Sequence, residues 1–333
     1  MFIVTSYTTA VVFCLITMLC WGSWGNTQKL AARTWRYELY YWDYVVGMVL
    51  TALVLGLTMG SMGSSGRALI DDLGQASWSN IWSVVLGGII FNASNILLSA
   101  SVSLAGMAVA FPLGVGLALV LGTVINYIGA PKGDPVILFA GVALVVVAII
   151  CNGVASSRVN REGSSKAGMG ITLALVAGVL MSFFYRFVAR AMDLDNFENP
   201  TAGMLTPYSA ILIFSLGVML SNLIFNTVLM RRPLTGDPVG YGDYFRGSLA
   251  AHLPGILGGA IWCVGTAFSY IAAGRAGAAV SYALGQGAPM IAAIWGVFIW
   301  HEFRGSRRTS GLLFAMFALY VAGLAMIVIA GGN

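Results

Sequence analysis

The chain has 333 residues, 59% of them hydrophobic and only 9% charged, with a net charge of +5. Soluble domains carry about 25% charged residues, so most of this chain cannot face water. The positive charge does not indicate nucleic acid, because the lysines and arginines stand in short clusters between hydrophobic blocks and form no basic stripe.

The apolar blocks are about twenty residues long, the length a helix needs to cross ~30 Å of hydrocarbon. They lack the period-two alternation of barrel strands. The predicted class is an all-α membrane protein with ten transmembrane helices. In chain order the spans are 8–28, 40–59, 81–101, 107–128 and 136–155, then 169–188, 205–230, 253–272, 278–300 and 312–329. The third and fourth are divided between Ser99 and Gly106, because an unbroken run there would far exceed one crossing. The first lacks a basic leader and a small-residue cleavage site and reads as a retained span. The four cysteines lie inside hydrophobic blocks without ligand spacing and read as packing residues. The longest connectors, 60–80 and 231–247, are too short for a folded domain, so residues 1–333 form one membrane domain.

Polar and aromatic residues inside these spans are the candidate site. Span one closes on Trp21-Gly22-Ser23-Trp24-Gly25-Asn26. Its tryptophans either mark the membrane interface or, loosened by the glycines, present rings to a ligand. Asp43, beside Tyr41, is a carboxylate about one turn inside span two. It either complements the helix N-terminal dipole or carries a proton in a site that water enters and leaves. Asn92 and Asn95 share one face near the middle of span three. An interhelical hydrogen bond is one reading, worth ~0.6 kcal/mol in lipid; substrate contact is the other. Phe111 before Pro112 in span four, Tyr185 and Arg186 in span six, and Tyr208 in span seven are further candidates. Arg186 sits near a span end, where it either snorkels to the surface or meets a polar substrate. Span eight contributes Trp262 and Thr266, and span nine Tyr282 and Gln286. Gln286 lies between Gly285 and Gly287, three residues before Pro289, where freed backbone groups are tolerated if the helix lines a cavity. His301-Glu302, with Arg304 close by, reads as a solvated ion cluster.

The chain matches itself at an offset of 171 residues. Leu86-Gly87-Gly88-Ile89-Ile90-Phe91 aligns with Leu257-Gly258-Gly259-Ala260-Ile261-Trp262, and Leu113-Gly114-Val115-Gly116 with Leu284-Gly285-Gln286-Gly287. Phe111 then corresponds to Tyr282, and Asn95 to Thr266. The offset maps spans three and four onto eight and nine, so the unit is five spans, about 1–157 and 167–333. An odd number of crossings inverts the second copy, a recurrent design of secondary transporters. Alternate loops carry twelve Lys and Arg residues on one side, including Arg36, Arg158 and Arg161, and five on the other. The positive-inside rule makes the first side cytoplasmic and places both termini outside.

Enzyme chemistry has little to work with. Gly163-Ser164-Ser165-Lys166 lacks the first half of a phosphate-binding loop, and no HExxH or Ser/His/Asp set is present. Asp71-Asp72 is an isolated acidic pair in a polar loop. The expectation is a transporter, with no cofactor and no metal, acting as monomer or homodimer.

Ten spans in two inverted halves resemble the drug/metabolite transporter superfamily, and within it the ureide permease family. The resembling stretches are Trp21–Gly25, Tyr41–Tyr44 with Asp43, Gly87-Gly88 through Asn95, Thr123–Tyr127, Arg232-Pro233, Gly255–Gly265 and Ala288–Arg304. Plant members carry a large segment between spans five and six, where this chain has only 156–167. The resemblance implies alternating-access transport of allantoin, other ureides or nucleobases, driven by a proton, in a bacterial-type inner membrane. A sugar porter, or a drug/metabolite exporter, of the same superfamily is the alternative.

Overall fold

The computed structural model describes residues 1–31, 34–105, 107–159, 167–233, 236–301 and 309–332. Each apolar run forms a helix, since a helix bonds every backbone group within its own segment and lipid offers no partner. The first half holds α1 (Tyr7–Ser23), α2 (Gly25–Ala31), α3 (Tyr37–Leu57), α4 (Leu69–Gln75), α5 (Trp78–Ala105), α6 (Met107–Gly129) and α7 (Pro135–Val159). The second holds α8 (Ala167–Ala189), α9 (Pro207–Arg231), α10 (Tyr241–Phe245), α11 (Leu249–Ala276), α12 (Ala278–Gly285), α13 (Ala288–Ile294) with a π-helical turn Trp295–Ile299, and α14 (Ser310–Gly332). Among the described residues nine spans are long and apolar enough to cross a membrane. The tenth is α6, apolar over Leu113–Gly129.

Two spans are interrupted where glycines stand in the sequence. The first breaks at Trp24, between α1 and α2, and the ninth breaks at Gln286-Gly287, between α12 and α13. The division between spans three and four falls between Ala105 and Met107. The two long connectors contain short helices, and the acidic pair is not isolated. Asp72 is buried in α4, where its carboxylate pairs with Arg67 at 2.9 Å and accepts the Thr206 amide at 2.8 Å. These bonds tie the loop to the start of α9. Glu302 and Arg304 lie outside the described residues.

The helices pair in two matching sets. α5 packs on α8 and α9, and α11 packs on α1 and α3; α6 lies on α8 as α12 and α13 lie on α1; α7 pairs with α14. Exchanging the halves carries each pairing onto its counterpart, which fits the five-plus-five arrangement. Glycines set the closest approaches, as small residues do in lipid. A Cβ on Gly88 would lie 2.4 Å from the Phe214 carbonyl oxygen, and one on Gly259 would lie 1.9 Å from that of Tyr44. Gly141 and Gly323 face each other, each Cβ position 2.7 Å from the other's carbonyl oxygen. Phe91 and Trp262, 171 residues apart, touch with ring centroids 4.5 Å apart. A meeting of residues at the 171-residue offset fits two halves exchanged about one axis.

Candidate substrate site

The site grows from a stripe of tyrosines on α3. Tyr37, Tyr41 and Tyr44 follow at helical spacing and stack, with centroids 5.6 Å and 5.5 Å apart. The Tyr41 hydroxyl, fully buried, donates to Asn92 Oδ1 at 2.8 Å and accepts from Asn95 Nδ2 at 3.0 Å. Asn92 Nδ2 then donates to Ser221 Oγ of α9 at 2.9 Å. One hydroxyl thereby orients two amides, and three helices converge on one polar knot. Asn92 is wholly buried and Asn95 is 8% exposed, so Asn95 is the more accessible of the two amides.

Aromatic rings surround this knot. Tyr44 contacts Trp24 (4.9 Å between centroids) and Trp262 (6.4 Å). Trp262 stacks on Trp21 and Phe214 and touches Phe91. Trp21 is fixed by its indole, which donates to Thr266 Oγ1 at 3.0 Å. The Tyr44 hydroxyl, buried in the midst of these rings, has no hydrogen-bond partner. A buried hydroxyl left unpaired costs about 1–3 kcal/mol, so it is a group with capacity to spare for a ligand.

A second polar cluster lies nearer the opposite face, across the aromatic layer. Tyr185 OH bonds Ser269 Oγ at 3.0 Å and donates to Ser281 Oγ at 3.2 Å, while Cys14 Sγ is 3.6 Å from Ser281 Oγ. Tyr282 is fully buried and donates to the Ala118 carbonyl at 3.0 Å, inserting between α6 and α8. Gln286 closes α12 and is buried.

Asp43 sits apart from the amides, on another face of α3. Its carboxylate is 1% exposed and accepts three bonds. Oδ1 accepts from the Tyr244 hydroxyl and faces His252 Nδ1, each at 2.7 Å; Oδ2 accepts from the Trp35 indole at 2.8 Å. Burial, and then the Asp43 bond and charge, hold the Tyr244 hydroxyl above its ordinary pKa, so it remains a donor.

Trp21, Trp24, Tyr41, Asn92, Asn95, Trp262 and Thr266 therefore lie in one connected aromatic and amide cluster. Others lie elsewhere. Asn26 accepts from the Trp300 indole at 2.6 Å near the arginine-rich face. Tyr208 donates to the Phe2 carbonyl at 3.0 Å near the other face. Arg186 lies against Gly129 at the end of α6, where a Cβ would sit 2.1 Å from Nε. The Phe111 side chain is outside the described residues. Sequence reasoning missed Tyr44, Ser221, Phe91 and Phe214, and the Asp43 partners Trp35, Tyr244 and His252. Only Tyr44 had a local signal, its three-residue spacing from Tyr41; the rest come from distant segments.

A family model described as ureide permease matches residues 40–167 and 156–330. The two matches overlap at 156–167, around the connection between α7 and α8. Ureide permease 1 of Arabidopsis thaliana is 23% identical over 395 aligned positions covering 100% of both chains, and Ureide permease 2 is 24% identical over 402. A probable glucose uptake protein of Bacillus anthracis is 25% identical over 231 residues, 67% of this chain and 70% of its own. A solved crystal structure with 15% identity superposes with a TM-score of 0.63 over 96% of both chains, a likeness of fold alone. With nearly the whole chain inside the family match and ten apolar helices around a buried polar cluster, this protein belongs to the ureide permease family of membrane transporters.

Proposed function

We propose that this chain carries a small, flat, polar metabolite, a ureide such as allantoin or a nucleobase, through the membrane by alternating access. The observation that carries the reading is the Tyr41–Asn92–Asn95 knot beneath the Tyr44, Trp24, Trp262 and Trp21 rings. Flat amide-rich molecules need a face to stack on and an edge of donors and acceptors, and this cluster offers both. The relatives' names support the same substrate class. Gln286 and Tyr282 complete the site from the broken ninth span, with Asp43 as the proton seat. The arginine-rich loops face the cytoplasm and both termini face outward.

The glucose uptake relative favours a second reading, since aromatic faces and amides also hold sugars. Uptake of labelled allantoin by proteoliposomes, competed with uracil and with glucose, separates the two. Competition by uracil and allantoin but not glucose is expected, and the reverse order overturns the ureide reading. Asn95→Ala and Tyr44→Phe should each raise KM roughly 5- to 100-fold, the loss expected for one buried hydrogen bond to substrate.

A further inference from the structure

We propose that His252 is the entrance for the coupling proton, passing it between water at the arginine-rich face and Asp43. The inference rests on the proton-coupled reading of Asp43 given above. Among the described residues Asp43 is closed off from water, its side chain 1% exposed. A Cβ on Gly255 would lie 2.4 Å from Asp43 Cβ, so the α11 backbone closes over the carboxylate. Trp35 and Tyr244 occupy two of its approaches as hydrogen-bond donors that do not titrate near neutrality. The third approach is the His252 ring, whose Nδ1 is 2.7 Å from Oδ1 and whose side chain is 17% exposed against 1% for Asp43.

The ring is held for this job. Trp35 and Tyr244 meet it edge-on, with centroids 5.0 Å and 4.8 Å away. Its other nitrogen, Nε2, points to the α10–α11 turn, where a Cβ on Gly247 would lie 2.7 Å from it. Imidazole has two nitrogens, so it can take a proton at one and release one at the other. A proton from water binds Nε2 to form imidazolium. The Nδ1 proton then passes to Asp43 Oδ1, leaving a neutral imidazole and a neutral carboxyl group. The pair has gained one proton, and the imidazole has passed from its Nδ1–H to its Nε2–H tautomer. Among the described charged groups on the surrounding elements, Arg36 pairs with Glu38 at 3.0 Å, and Asp243 of α10 accepts the Gly240 amide at 2.8 Å. Arg246 closes α10.

The test compares His252→Gln and Asp43→Asn in proteoliposomes, reading gradient-driven accumulation and gradient-free counterflow of labelled allantoin. His252→Gln should keep counterflow, lose accumulation at least 10-fold, and flatten its dependence on external pH. If His252→Gln accumulates with an unchanged pH profile while Asp43→Asn does not, the proton reaches Asp43 another way and the relay is wrong, though coupling at Asp43 stands. If Asp43→Asn also accumulates normally, the coupling reading itself falls. If His252→Gln loses counterflow together with accumulation, the pair is a clamp between α3 and α11 and the relay is overturned. A readout without substrate is the infrared band of the protonated carboxyl group that Asp43→Asn removes. His252→Gln should move the pH at which that band appears, and an unmoved band overturns the relay.

Discussion

Tyr41 illustrates how one atom organises a site. Its hydroxyl is donor to Asn92 and acceptor from Asn95, so removing it strands an amide oxygen and an amide nitrogen in a buried place. Tyr41→Phe should cost about 1–3 kcal/mol of stability and weaken substrate binding in parallel. Tyr208→Phe loses a comparable bond, to the Phe2 carbonyl, but away from the cluster. It should leave KM unchanged. Melting in detergent and transport kinetics on the two variants check the contrast, and equal effects on KM would remove Tyr41 from the site. The shared face of Asn92 and Asn95 was legible from their three-residue spacing. That a tyrosine five residues into another helix would bridge them was not, because the pairing spans 51 and 54 residues of chain.

The helices themselves followed from apolar length, because a chain in lipid has almost no other way to satisfy its backbone. Their ends did not: α5 runs beyond its predicted span, to Trp78 and Ala105, since a helix need not stop where hydrocarbon stops. The breaks at Trp24 and Gln286 were foreshadowed by flanking glycines. Contacts between helices depend on glycines whose partners no local pattern names. Gly88→Leu and Gly259→Leu should each destabilise the fold by about 1–3 kcal/mol or more, because the new side chain would overlap a neighbouring backbone. Gly25→Ala, where nothing lies within 4 Å of the added Cβ, should be neutral. Size-exclusion profiles and thermal melts of the three variants test this. A well-folded Gly259→Leu would mean that α11 does not approach α3 so closely.

The whole molecule is two sets of five spans whose pairings correspond. An odd unit puts the middle of the chain and its end on opposite sides of the membrane. Reporter fusions at Arg161 and after the last residue should therefore report opposite compartments, with Arg161 cytoplasmic. The same compartment for both would remove the five-span unit. Close contact of Phe91 with Trp262 places the aromatic layer where the halves meet, between the Tyr41 knot on the arginine-rich side and the Tyr185–Ser269–Ser281 cluster on the other. A substrate crossing by alternating access would pass this layer, which is why the rings and not the amides alone should govern flatness of the cargo.

What the sequence by itself determined is class and crossing number: 59% apolar residues in twenty-residue blocks leave only a helical bundle in lipid. It also carried the family resemblance and the approximate depth of each intramembrane polar group, since depth is position along a helix. Only the tertiary structure decided which of those groups meet. Asp43 looked like a lone carboxylate beside its own tyrosines, yet its hydroxyl partner is Tyr244 and its imidazole partner is His252, about two hundred residues away. Helix rotation and packing set such encounters, and they depend on small-residue contacts between segments that no local periodicity encodes.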